Sequence, residues 1–230
     1  LAETLAFEEH FPEAEKLQRD ALEIETRTLG PDDPATLQST RSLASILTDE
    51  GNYAGAENLL TNALPIDRRI LGPEHAITLD TLGSLAYVYL KELKYPEAEK
   101  LFQELVASDR HLYGDNNTND LADMEELAVT YAREKRYSDA AALLQQALEI
   151  ANGSKTSALI RIAWYNFACA AAITGHRDDA FRYLREAVGN GFTYPDQISG
   201  DKDLQSLHSD PRFDQIIEQA RAGAARSKDK

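Results

Sequence analysis

Thiols are nearly absent from this chain: Cys169 is its one cysteine in 230 residues. That excludes an internal disulfide framework and a cysteine-ligated metal. Histidine is sparse too. His10, His75, His111, His176 and His208 have no ligand-like spacing, so neither a metal nor a cofactor is expected. A long apolar run is also missing. The longest, Ile160 to Ile173, is interrupted by Arg161 and Asn166 and is too short to span a bilayer. Basic excess is lacking, since 24 Lys and Arg stand against 39 Asp and Glu, a formal charge of −15. This balance disfavours nucleic acid and anionic membrane surfaces as partners. No phosphate loop, Gly-rich nucleotide turn, Ser-His-Asp or Cys-His arrangement is present, so no enzyme is expected.

What the chain does have is an internal repeat, and such a repeat outranks any local signal. Ala14, Ala56, Ala98 and Ala140 recur every 42 residues. Phe11, Tyr53, Tyr95 and Tyr137 keep the same interval, as do Leu17, Leu59, Leu101 and Leu143. Leu43-Ala44, Leu85-Ala86 and Leu127-Ala128 recur likewise. The last interval, Ala140 to Ala180, shortens to 40. Within one unit, Leu79, Leu82, Leu85, Ala86 and Tyr89 share a helical face, and Ala98, Leu101, Phe102 and Leu105 share another. A break from Lys91 to Tyr95 separates the two, so each unit reads as a helix-turn-helix pair.

Capping chemistry marks the boundaries. Asn52 and Ser138 read as N-caps, and Asp33 caps a helix that opens on Pro34. Gly30-Pro31-Asp32-Asp33-Pro34 and Gly72-Pro73-Glu74-His75 punctuate successive pairs. Arg27, Arg68-Arg69 and Arg110-His111 precede these breaks, where cations complement the helix dipole. After Gly189-Asn190-Gly191 the repeat stops. Asp201 to Leu207 reads as a short helix, and Asp210-Pro211 opens a last one. Leu204, Leu207, Phe213, Ile216 and Ile217 are expected to cover the final repeat, because repeat arrays need a cap. Residues 226–230 are expected to fray.

These residues resemble tetratricopeptide repeats. Leu82, Leu85, Ala86, Tyr89, Ala98, Phe102 and Leu105 fill that family's successive positions. So do Trp164, Phe167, Ala168, Ala180, Leu184 and Ala187, with Trp164 at the family's tryptophan. The 42-residue period with its Leu-Gly-Pro-Asp/Glu link is similar to the longer variety in kinesin light chains. The run Trp164 to Ala170, with Gly191-Phe192 and Asp210-Pro211-Arg212-Phe213, is similar to C-terminal tetratricopeptide modules of bacterial multidomain signalling proteins such as serine/threonine kinases. The resemblance implies an all-α, right-handed superhelix of stacked helix-turn-helix repeats with a C-terminal helical cap. The array covers residues 1–192, in units of about 1–29, 33–71, 75–113, 118–152 and 156–192, and residues 193–230 form the cap and tail. Leu1, Ala2 and Leu5 match Leu43, Ala44 and Leu47. The first unit therefore looks truncated, and the chain reads as the C-terminal portion of a larger bacterial protein.

The family's groove positions, carried across, are Gln38, Arg41, Ser42, Ser45 and Asp49, then Asp80, Gly83, Ser84, Tyr87 and Lys91. They continue with Ala122, Glu125, Glu126, Val129 and Arg133, then Ile162, Tyr165, Asn166, Cys169 and Ile173. Gln38, Arg41, Asp80, Tyr87, Lys91, Glu125, Arg133, Tyr165 and Asn166 are the candidate partner-binding residues. A carboxylate clamp is rejected, because only Arg41 matches and Ser45, Ser84, Ala122 and Glu126 do not. Of the asparagines that kinesin light chains use on a peptide backbone, only Asn166 is present. The expected function is protein–protein interaction, with a peptide or partner segment in the concave groove. Alternatives are regulation in cis of a kinase or cyclase, or self-association as a homodimer. Cytoplasmic placement is expected, with an extracytoplasmic fused domain as the alternative. The acid excess is uneven: residues 1–160 hold 29 acids and 14 bases, and residues 161–230 hold 10 of each.

Overall fold

The computed structural model describes residues 11–115, 117–118, 121–154 and 157–228. The matches at Leu1, Ala2 and Leu5 lie outside them. The described residues are helical, with no strand among them. The chain divides into two compact units, residues 1–108 and 109–230.

The first unit contains α1 (Phe11–Thr28), α2 (Pro34–Asp49), α3 (Tyr53–Ile70), α4 (Ala76–Lys91) and most of α5 (Tyr95–Tyr113). The second contains α6 (Leu121–Arg133), α7 (Tyr137–Ser154), α8 (Ser157–Ile173) and α9 (Arg177–Gly189). They are followed by α10 (Pro195–Gly200), a 3-10 helix (Lys202–Leu207) and α11 (Pro211–Lys228). Each helix of a pair buries the small residue that the period singled out. Ala14, Ala56, Ala98, Ala140 and Ala180 are all buried, as are Ala44, Ala86, Ala128 and Ala168. A methyl at these points lets neighbouring helix backbones approach, and Leu60, Phe102, Leu144 and Leu184 fill the space one turn on.

The turns inside the pairs share one device. Gly51, Leu93, Lys135 and Gly175 adopt positive φ, at 79°, 63°, 64° and 80°. The following amides reach back five residues: Asn52 to Leu47 O at 2.7 Å, and Lys94 to Tyr89 O, Arg136 to Tyr131 O and His176 to Ala171 O at 2.9 Å each. This is the Schellman ending, in which a left-handed residue closes the helix and satisfies its last carbonyls. Asp33 caps α2 by accepting from Ala35 N at 2.9 Å, and Asn52 caps α3 by accepting from Gly55 N at 3.2 Å. At α4 the cap is His75, whose Nδ1 accepts from Ile77 N at 3.3 Å.

Two expectations need correction. Ser138 is not a cap: α7 starts at Tyr137, and Ala140 N bonds to Arg136 O at 3.1 Å, which places Arg136 at the helix entrance. Nor are residues 226–228 irregular, since α11 is helical through Lys228, and residues 229 and 230 lie outside the described residues. One helix went unpredicted. Pro195 opens α10 at its first position, and Ile198 from that turn is fully buried. Ile198 joins Leu204, Leu207, Phe213, Ile216 and Ile217 over Phe181 and Leu184, so the segment beyond α9 completes the core of the last pair.

Candidate functional site

In the first unit, α2 and α4 are the first helices of their pairs, and their candidate residues were expected on one exposed face. Gln38, Ser45, Asp49, Asp80 and Ser84 are exposed on it. Tyr87 is half-buried, and the Lys91 ammonium stands 4.6 Å from its ring centroid. A cation over an exposed ring contributes about 0.5–1 kcal/mol, enough to bias the rotamers of both. The spacing 80, 84, 87, 91 follows the helical period, so these four form one row.

Arg41 of α2 is half-buried and already engaged. Its Nη1 lies 3.2 and 3.4 Å from the two carboxylate oxygens of Asp67, a fully buried residue of α3. Thr81 of α4 donates to the same carboxylate at 2.7 Å. An unpaired buried carboxylate is costly, so the guanidinium is drawn inward to join three helices. Asp67 escaped sequence reasoning, although a signal existed: Glu25, Asp67 and Asp109 recur at the 42-residue interval near the end of each second helix.

In the second unit the candidates are engaged by other side chains; Glu125 and Tyr165 are buried, Asn166 is half-buried and Arg133 is exposed. Asn166 of α8 donates to Glu125 of α6 at 2.6 Å. Burial pushes the Glu125 carboxyl up to about 7, against the opposing effect of the Asn166 hydrogen bond and with help from the charge of Glu126. Arg133 is engaged by Asp203 of the 3-10 helix. Tyr165 is buried, its ring stacked on Phe192 with centroids 4.2 Å apart and planes at 9°. Its hydroxyl donates to Asp201 at 2.5 Å, and the Cys169 thiol lies 3.7 Å from the same oxygen. Burial, reinforced by Asp201, pushes both the phenol and the thiol above their ordinary ranges, so both stay protonated. Cys169 is a packing residue, not a reactive thiol.

Tyr165 and Asn166 thus belong to a hydrogen-bonded seam: the C-terminal segment engages Tyr165 through Asp201 and Phe192, and Glu125 of α6 holds Asn166. Asp201 caps the 3-10 helix, accepting from Asp203 N at 2.9 Å, and turns its other oxygen onto α8. No repeat position marks Asp201, because it lies after the repeat ends. Ile162 remains exposed.

Comparison with known proteins gives two family models. One, described as tetratricopeptide repeat, matches residues 1–66, 38–111 and 79–153. The other, described as A/B hydrolase-like, N-terminal domain, matches residues 126–228. No curated protein matches the chain. Among solved structures, the chain is similar to a Podosopora anserina protein with nearly identical TPR-like repeats, described as a kinesin light chain. The identity is 25% and the TM-score 0.75, over 83% of this chain and 91% of that one. It is similar in fold to BtubC (BKLC) from P. vanneervenii, at 15% identity and TM-score 0.67, over 95% and 92% of the two chains. It is also similar in fold to a Rap protein complexed with Competence and Sporulation Factor, at 15% identity and TM-score 0.61, over 96% and 63%.

Proposed function

The chain belongs to the tetratricopeptide repeat family, and from that premise we propose that it holds a peptide or extended partner segment on the first-helix face of its first unit. Scaffolding of protein–protein contacts is the general work of this fold, and a non-enzymatic role accords with it. The observation that carries the reading is the row Asp80, Ser84, Tyr87 and Lys91 on α4. It is a polar face with a half-buried aromatic whose charged neighbour sits on its ring. None of the four is among the buried core residues, and aromatic and arginine residues are frequent energetic centres of interfaces. Gln38 and Asp49 extend the face on α2.

The test is to pan a random peptide library against the whole chain and titrate the selected peptide by calorimetry. The double variant Tyr87→Ala, Lys91→Ala is expected to lose at least about tenfold in affinity, the usual signature of a hot spot. Unchanged affinity with native circular dichroism would remove this face from the function.

A second reading, regulation in cis of a fused domain, draws support from the match of residues 126–228 to a model named for the N-terminal domain of A/B hydrolase-like proteins. It would place a catalytic domain beside this module in the whole polypeptide, a kinase or cyclase being the other candidates. Determining the sequences that flank the module in its gene decides it: further repeats alone on both sides would reject the reading.

A further inference from the structure

The repeats supply their own reference for one cleft. Where α4 meets α3, Tyr89 fills the junction. Lys94 Nζ lies 5.5 Å from its ring centroid and is held at 2.8 Å by both carboxylate oxygens of Glu57. One repeat later Tyr131 stands at the matching sequence position, with the Arg136 guanidinium 4.2 Å from the ring. At the last junction, α8 against α7, the matching positions are Ala171 for the tyrosine, His176 for the cation and Ala141 for the acid. All three side chains are cut back together.

The helices have not closed over the loss. A cleft of about 310 Å³ stands at this junction, lined by Ala141, Ala170 and Ala171 together with Phe167 and Tyr183. Preformed ligand pockets begin at about 300 Å³, so the space is of useful size. The two aromatic rings hold each other at 5.1 Å and 54°, and Trp164 stacks on Tyr183 at 5.6 Å, so the aromatic side of the cleft is braced. At the rim, Thr174 Oγ1 and His176 Nδ1 lie 3.3 Å apart.

We propose that this cleft is a binding site for an aromatic side chain, a phenol or phenyl ring, presented by a protein partner. The ring would stand where the matching position carries Tyr89 and Tyr131 in the preceding repeats, the same fold accepting from outside what it elsewhere supplies from within. An entering ring meets Phe167 and Tyr183 at angles that suit aromatic pairs. A phenolic hydroxyl at the rim would have to exchange with the existing Thr174–His176 bond, Thr174 Oγ1 also being bonded to Ala171 O. The site uses α7, α8 and α9 only, and so stands or falls apart from the α2–α4 face.

The probe is N-acetyl-tyrosinamide, titrated into the full chain while the alanine methyl resonances are followed by NMR. Saturable shifts at Ala141, Ala170 and Ala171 are expected, with an apparent Kd on the order of millimolar for so small a ligand. N-acetyl-leucinamide should bind at least several-fold more weakly. The Ala171→Tyr variant fills the cleft from within and should lose the response. Should that variant not fold, Ala141→Trp covers the cleft from an exposed position and serves the same purpose. Three results would overturn the proposal: no saturable shift, an equal response to the leucine amide, or a response that survives in the filled variant. Shifts of these methyls that depend on protein concentration without probe would place a second copy of the chain in the cleft, and would overturn it too.

Discussion

Asp67 is the residue on which the first unit depends most visibly. It is fully buried and takes donors from two other helices, Arg41 of α2 and Thr81 of α4. Removing the guanidinium leaves the carboxylate buried with only a hydroxyl. Arg41→Ala is therefore expected to destabilise the protein by about 3 kcal/mol, the usual result of breaking a buried pair from one side. Chemical denaturation measures it. A loss below about 0.5 kcal/mol, the surface-pair range, would show that the pair is merely superficial. Glu125 carries the opposite lesson, since its hydrogen bond to Asn166 does not outweigh burial. Its carboxyl, ordinarily near 4.5, is pushed up to about 7 in the fold, so the folded state holds the proton more tightly. That contribution to stability is complete below pH 4.5 and is lost as pH rises through about 7. The unfolding free energy should fall between pH 5 and pH 8 relative to that of Glu125→Gln, by on the order of 2–3 kcal/mol, read from denaturation at each pH. Parallel curves for the two proteins would contradict it.

Among the elements, the turns within pairs show how one conformation at four positions accepts three residue types. Gly51 and Gly175 adopt positive φ without strain, whereas Leu93 and Lys135 do so with a Cβ. Leu93 is 68% exposed, so its side chain offers little packing in return. Leu93→Gly exchanges a left-handed penalty of about 1–2 kcal/mol for the smaller entropic cost of glycine. A gain of about 0.5–1 kcal/mol is expected, read as a higher melting temperature. The helix entrances allow a similar improvement. Asp33 caps α2 at 2.9 Å, while His75 does the same for α4 at 3.3 Å with a weaker acceptor. His75→Asp should stabilise by about 0.5–1 kcal/mol, and an unchanged melting temperature would show that the imidazole caps as well as a carboxylate. The elements were legible because period, caps and punctuation agreed at Asn52, Asp33 and the recurring alanines. Ser138 misled because a good capping residue stood one position inside the helix, where the Schellman turn at Lys135 had already set the entrance. The engagement of Arg41 and Tyr165 was not legible, for a tertiary reason. Their partners, Asp67 and Asp201, are 26 and 36 residues away, and no local pattern announces such a distance. The cations before each break were legible as dipole partners. Arg68 additionally reaches Glu104 at 2.5 Å, and Arg110 reaches Gln146 at 3.3 Å, bonds from one repeat to the next.

At the scale of the whole chain, the repeat distributes stability between neighbours and leaves the last pair dependent on the non-repeating C-terminal segment. Phe181 and Leu184 are fully buried beneath the segment that carries Ile198, Leu204, Leu207 and Phe213. Deleting residues 193–230 removes these contacts, each worth about 1.5–3 kcal/mol of burial. The sum exceeds what a marginally stable pair can lose. The truncated chain is expected to unfold its last pair, seen as lost Trp164 fluorescence dispersion and increased binding of an apolar dye. Among the described residues no helix is long and apolar enough to cross a membrane.

A chain of near-copies faces a hazard that ordinary domains avoid: its hairpins can stack in the wrong order. The alanines and leucines at 42-residue intervals cannot prevent this, because they are interchangeable by construction. The Arg41–Asp67–Thr81 junction is different, since the residues one and two repeats beyond Arg41 are Gly83 and Glu125. A hairpin docked out of turn would set either nothing or a second acid against the buried Asp67 carboxylate. The junction thus works as an address, and the penalty for a misplaced neighbour falls on the wrong assembly before it can compact.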